Sequence, residues 1–169
     1  MKKISVIGNA CSGKTRLSRE LAKKYNLPLT HVDSIQFLSG MQLRDPSETR
    51  KILEDLASQN EWLIDGFGPL KIIEDRFQKS EVVIFIRLPL WRNYWWCIKR
   101  QVKGLLTREQ RAELPAGCFE STIPQTIKLF KTIWNVHFGM WPQLDRIFLQ
   151  GQYKNKIKYV RTLTDLNKM

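Results

Sequence analysis

Residues 8–15 read Gly8-Asn9-Ala10-Cys11-Ser12-Gly13-Lys14-Thr15. Two glycines five positions apart, closed by Lys-Thr, form the G-x-x-x-x-G-K-T spacing of a phosphate-binding loop. The flanks constrain the fold further. Residues 2–7 are short, apolar and β-branched, which predicts a buried strand. After the loop, Leu17, Leu21, Ala22 and Tyr25 recur at helical spacing. Strand, glycine loop and helix together turn successive backbone N–H groups toward a polyphosphate. Gly8 and Gly13 allow backbone conformations that a side chain blocks, and the helix start adds unpaired N–H groups and a positive dipole end. Lys14 then reaches the β- and γ-phosphates, and the Thr15 hydroxyl is placed to ligate Mg²⁺. Gly8, Ala10, Cys11, Ser12, Gly13, Lys14 and Thr15 are the expected nucleotide cradle, with ATP and Mg²⁺ as its expected occupants.

The rest of the chain alternates strand and helix, the pattern of a parallel α/β sheet. Strands are expected over 2–7, 27–32, 62–64, 82–86 and 157–160. Helices are expected over 14–25, from a start at Asp45-Pro46, over 69–79, 90–103, most of 120–138 and 142–150. Asp45 as cap, Pro46 at the first helical position and Glu48 three residues after the cap mark one helix start. A polar loop is expected up to Arg44, and a Gly/Pro-interrupted loop over 104–118. With 169 residues and no linker or repeat, a single domain over 1–169 is expected.

The longest apolar stretch, Val82–Ile86, is far too short to span a bilayer. No membrane partner is expected, and the N-terminal apolar stretch ends too early for a secretory signal. Cys11, Cys97 and Cys118 are odd in number and widely spaced, so they read as free thiols in a cytoplasmic protein. The net charge of +12 is uneven: residues 33–81 hold ten acids against six bases, the remainder six acids against 22 bases. A polyphosphate nucleotide or a nucleic-acid backbone would each explain this, as would a solvated surface.

Sites in open parallel sheets lie at the C-terminal strand ends. Asp33 and Asp65-Gly66 are expected at two such ends. Asp33 is a candidate for Mg²⁺ ligation beside Thr15, or for accepting the proton of an acceptor hydroxyl, and Asp65 for a similar task. The alternative is that each merely closes a turn. A basic stretch holds Arg87, Arg92, Lys99, Arg100, Lys103, Arg108 and Arg111 with Glu109 as its one acid. Arginines on a loop after such a helix can close over a transferring phosphoryl group. Trp91, Tyr94, Trp95 and Trp96 are interleaved with it and fit base stacking, core packing or an oligomer contact. His31 and His137 are isolated in the sequence and read as structural.

Over nearly its full length the chain resembles the small adenylate-kinase-related proteins often labelled DNA topology modulation proteins, within the nucleoside-monophosphate-kinase and shikimate-kinase-like superfamily. The resemblance rests on Lys3–Thr15, His31-Val32-Asp33-Ser34-Ile35-Gln36-Phe37, Trp62-Leu63-Ile64-Asp65-Gly66, Leu88-Pro89 and Gly117-Cys118-Phe119-Glu120. It implies a P-loop three-layer α/β sandwich: a five-stranded parallel sheet of order 2-3-1-4-5, an acceptor-binding region over 34–60 and a lid over 104–118. It also implies that Gly13, Lys14 and Thr15 hold phosphate and Mg²⁺, and that Asp33 sits near metal and acceptor. Arg100 and Arg111 would act from the lid, and Arg76 would join Asp65 at the acceptor. The chain departs from its relatives at Arg87, where an acid is usual, at Trp96, where a base is usual, and in reading Asp65-Gly66-Phe67-Gly68-Pro69 where adenylate kinases have Asp-Gly-Phe-Pro-Arg. The expected activity is transfer of the γ-phosphate of ATP to a nucleotide or other small-molecule acceptor. The alternatives are a nucleotide-regulated, nucleic-acid-associated protein that uses its basic surface for contact and has no kinase turnover, and a kinase fold that binds ATP without turnover; weak nucleic-acid binding is compatible with the kinase reading. The oligomeric state is not readable.

Lys14→Ala should weaken ATP binding about tenfold or more by removing a charge-assisted hydrogen bond, with the thermal midpoint unchanged. Nucleotide titration beside thermal unfolding checks both halves.

Overall fold

A computed structural model describes residues 1–68, 70–107, 113–118, 121–149 and 153–168. Its centre is a parallel sheet of five strands: β1 (Lys3–Gly8), β2 (Leu29–His31), β3 (Trp62–Asp65), β4 (Val82–Ile86) and β5 (Ile157–Val160). The order is β2-β3-β1-β4-β5, as the resemblance implies. The central strands are buried on both faces, which is why they read as unbroken apolar runs.

Alternation along the strands divides the core. Ile4, Val6, Ile84 and Ile86 point to one face, where Leu17 and Leu21 of helix α1 (Lys14–Tyr25) cover them. Ile7, Val83 and Phe85 point to the other. There they meet Ile73 and Phe77 of α4 (Leu70–Lys79) and Trp141, Leu144 and Phe148 of α7 (Trp141–Leu149). A third cluster joins Trp62 and Ile64 to Leu53 and Ala57 of α3 (Pro46–Ser58) and to Val32. Asp45 caps α3 as its sequence implies, accepting from the backbone N–H groups of Ser47 and Glu48.

The described elements differ from the sequence reading in several places. β2 stops at His31 because Val32–Gln36 turns into a short helix, α2, closed by a hydrogen bond from Ser34 Oγ to the His31 carbonyl. Asp33 therefore sits on a helical turn, one residue beyond where a strand end would leave it. Helix α5 (Leu90–Thr107) runs four residues past its expected end and through Gly104. That glycine serves packing: a Cβ there would lie 1.9 Å from Ser121 Oγ. Of the expected 104–118 loop, residues 104–107 are helical, 113–118 form a turn, and 108–112 lie outside the described residues. Helix α6 (Ile123–Asn135) begins at a Thr122 cap with Pro124 in its first turn, where a missing N–H costs nothing, and a π-helical turn (Val136–Met140) leads into α7. A final helix, α8 (Leu163–Lys168), was not anticipated. Its start carries a reciprocal cap, in which Thr162 Oγ1 accepts from the Asp165 N–H and Asp165 accepts from the Thr162 N–H. Thr162-x-x-Asp165 was the legible signal.

No helix among the described residues is long and apolar enough to cross a membrane.

Phe85 is fully buried, with ring contacts to Trp141, Phe148 and Tyr159 at 5.6–5.8 Å. Phe85→Ala should cost about 3–5 kcal/mol of stability. Urea unfolding measures it.

Candidate active site

The C-terminal tips of β1, β3 and β2 lie side by side. The register pairs Val6 with Asp65 and His31 with Asp65. The glycine loop leaves β1 at this edge. Gly8 has no room for a side chain, since a Cβ would lie 2.9 Å from both Cβ and the carbonyl oxygen of Ile86. Gly13 starts α1 at φ +83°, the left-handed region that favours glycine. Cys11 adopts φ +53°, an uncommon conformation for a residue with a side chain. Two asparagines hold the loop in place. Buried Asn9 donates to the Ile133 carbonyl on α6 (2.8 Å) and accepts from the Ala10 N–H (2.8 Å). Asn93 of α5 donates to the Ala10 carbonyl (3.0 Å).

Lys14 folds over the loop, its Nζ donating to the Asn9 carbonyl at 2.7 Å. Asp65, 4% exposed, gathers two donors on Oδ2: the Thr15 hydroxyl at 3.3 Å and His31 Nδ1 at 2.9 Å. Its other oxygen, Oδ1, is buried with no hydrogen-bond partner among the described residues. A carboxylate oxygen so placed beside a threonine hydroxyl suits a hard cation, and Mg²⁺ favours oxygen ligands. No group of three or more His, Cys, Asp or Glu that could by itself hold a metal ion occurs among the described residues.

Beneath this edge lies Arg76, 1% exposed. Its Nη2 donates to the Gly66 carbonyl at 2.7 Å. Burial pulls the guanidinium down to about 10, and the Asp65 charge works against the shift, so it remains a cation at neutral pH. Arg76 supports the Asp65-Gly66 turn from the core and is not on the cavity wall, where an acceptor's anion would meet it.

One cavity of about 1070 Å³ takes in these parts. Its wall carries the loop from Gly8 through Thr15, then His31, Asp33 and Asp65, and Trp96 and Arg100 from α5. Gln36, Phe37, Met41 and Leu43 contribute from the segment after β2, within the expected acceptor region. Trp96 lies against the loop: a Cβ on Gly13 would approach its ring to 3.3 Å. Arg111 lies outside the described residues. Residues 113–118 bridge the two sides of the cavity. Glu113 pairs with Arg19 of α1. At the other end the Ala116 carbonyl accepts from Ser39 Oγ (2.9 Å), and Cys118 Sγ donates to the Leu38 carbonyl (3.1 Å).

Sequence reasoning took His31 as structural and missed both asparagines. His31 is two residues from Asp33, but its partner Asp65 is 34 residues away, and only the parallel register brings them together. Arg87, whose departure from its relatives stood out, donates through Nη1 to both carboxylate oxygens of Asp145 at 2.8–2.9 Å and stacks over Trp141, away from the cavity wall.

No family model and no curated protein matches the sequence. Solved structures do match in fold. A gluconokinase from Sinorhizobium meliloti 1021 superposes with a TM-score of 0.56 at 14% identity, covering 99% of this chain and 86% of its own. A shikimate kinase from Bacteroides thetaiotaomicron gives 0.53 at 13% identity, over 99% and 92%. An uncharacterized protein from Eubacterium ventriosum ATCC 27560 gives 0.55 at 12% identity, over 99% and 92%. The chain thus has the P-loop kinase fold. None of the three bears on the narrower group labelled DNA topology modulation proteins.

Asn9→Ala should cost about 1–3 kcal/mol, because it strips a donor from the Ile133 carbonyl and an acceptor from the Ala10 N–H in a buried setting. Urea unfolding gives the cost, and nucleotide titration should show weaker ATP binding as the loop loosens.

Proposed function

We propose that the chain is an ATP-dependent phosphotransferase acting on a small hydroxyl- or phosphate-bearing acceptor, a nucleotide or another small molecule. The observation that carries this reading is the Thr15–Asp65–His31 hydrogen-bonded chain beside the glycine loop, inside one cavity. At about 1070 Å³ that cavity exceeds what one drug-sized ligand needs and suits two substrates together. The kinase fold of the gluconokinase and the shikimate kinase supports it.

In this reading the loop N–H groups and Lys14 hold the β- and γ-phosphates of ATP. Thr15 and Asp65 would hold Mg²⁺, which when bound neutralises phosphate charge. His31 is a positioning residue that fixes the Asp65 carboxylate, and Arg76 fixes the turn below it. The acceptor lies toward Asp33, Gln36 and Phe37. Its oxygen attacks the γ-phosphorus, the bond to the β–γ bridging oxygen breaks, and ADP leaves with that electron pair. The acceptor's proton passes to the Asp33 carboxylate. Arg100 on the wall, and Arg111 from the lid, offset charge on the transferring group.

A second reading is favoured by the basic balance outside residues 33–81: a nucleotide-regulated protein whose cationic surface contacts nucleic acid without kinase turnover. A phosphoryl-transfer screen over nucleosides, nucleotides and small metabolites separates the two. The kinase reading expects transfer that vanishes in Lys14→Ala. It also expects Asp33→Asn to bind ATP normally while losing about 100-fold or more in turnover. Nucleic-acid binding that persists in Lys14→Ala, with no transfer to any acceptor, would favour the second reading.

A further inference from the structure

Helix α5 has four differently surfaced sides. Asn93, Cys97 and Gln101 are buried against the core, Trp96 and Arg100 face the cavity, and Tyr94 meets α6. The remaining side is apolar and exposed. Trp91, Trp95, Ile98, Val102 and Leu105 follow one another at spacings of four, three, four and three residues, so they form one continuous stripe. Leu106 extends it at 80% exposure.

Helix α6 continues this surface. Tyr94 packs on Phe130, and Gln101 bonds Thr126, so the two helices run antiparallel. Ile123, Ile127, Trp134 and Phe138 are exposed on α6 and its π-helical extension at spacings of four, seven and four. In an antiparallel pair these residues and the α5 stripe fall on the same outer side of the hairpin. Soluble proteins rarely expose so broad a contiguous apolar area unless something docks there.

The charges select the partner. Arg92, Lys99 and Lys103 of α5 and Lys131 of α6 lie off the cavity wall, where Arg100 and Lys128 are, and neither helix holds a single Asp or Glu. Arg92 lies 4.6 Å over the Trp91 ring and Lys99 4.9 Å over the Trp95 ring, so cations rim the apolar stripe directly. We propose that this outer face of the α5–α6 hairpin docks on an anionic lipid surface, lying in the interface without spanning it; the short apolar runs that led to the expectation of no membrane partner exclude a spanning helix and not surface contact. Indoles at the headgroup level, aliphatic side chains below and flanking lysines and arginines paired with lipid headgroups are the features of an interfacial amphipathic helix. A second copy of the chain fits poorly, because a twofold pairing sets cation rims against each other with no acid to offset them. Nucleic acid fits less well: Trp91, Trp95, Trp134 and Phe138 offer rings, but Ile98, Val102, Leu105, Leu106, Ile123 and Ile127 make the larger part of the face aliphatic, with nothing for a base to stack on.

The full chain, without nucleotide, should co-sediment with vesicles of equimolar phosphatidylcholine and phosphatidylglycerol, and tryptophan emission should shift to the blue. Vesicles of phosphatidylcholine alone should bind at least about tenfold more weakly. Replacing Trp95→Ser together with Ile98→Ser should cost about tenfold or more in vesicle affinity, and Lys99→Glu about tenfold. All three positions are solvent-exposed, so the thermal midpoint should hold. Equal binding to neutral and anionic vesicles would overturn the proposal, as would vesicle binding that these variants leave intact. No vesicle binding would overturn it as well, whether accompanied by a dimer in light scattering that Trp95→Ser/Ile98→Ser splits, by capture of an acidic helical peptide, or by oligothymidine binding that the same variants abolish.

Discussion

The carboxylate of Asp65 is the group on which the rest of the site depends. It is a nearly fully buried charge at a strand tip, and burial of an unpaired charge is costly. The structure answers with donors from two different elements, Thr15 from α1 and His31 from β2, while Arg76 from α4 holds the Gly66 carbonyl of the turn below. Satisfying one carboxylate thus ties the helix after the glycine loop to the sheet edge, next to the turn that follows β3. Asp65 Oδ1 has no hydrogen-bond donor among the described residues, which is uncommon for a buried polar atom.

The glycine loop is held from the opposite side by neutral hydrogen bonds. Asn9 and Asn93 tie it to α6 and α5, which are distant in sequence. Those two helices also build much of the cavity wall, through Trp96 and Arg100 on one and Gln125, Lys128 and Thr132 on the other. Loop geometry and wall geometry are therefore coupled: a shift of the hairpin moves the loop with it. The outer, apolar and cationic side of the same hairpin gives it a second surface, so one structural unit has an inward and an outward face.

The segment 113–118 shows how the cavity is bridged. It is fastened by an ion pair to α1 and by backbone-directed hydrogen bonds to the segment after β2. Cys118, which in the sequence is one of three scattered thiols, is fully buried here and donates to the Leu38 carbonyl. Its role is local packing and hydrogen bonding between two strips of chain that have no sequence relation.

Local signals settled much of this protein. The octapeptide from Gly8 to Thr15, the apolar strand runs and the capping residues at Asp45 act over a few residues, through backbone conformation and burial period. They specified the glycine loop, the strand–helix alternation and the α/β class. The strand order followed from resemblance and agrees with the structure. What the sequence did not show depends on residues far apart along the chain. His31 and Asp65 meet through the parallel register of β2 and β3, and Arg76 lies under the site because α4 packs across the sheet. Gly104 reads as a helix breaker, yet the close approach of Ser121 makes it a packing residue inside a continuing helix. The tryptophans of α5 read as core or contact surface before stacking platform, with no way to separate the first two, because periodicity gives the face on which a residue lies but not what covers that face. Only the packing of α5 on α6 and the sheet decided that Trp96 lines the cavity while Trp91 and Trp95 face outward.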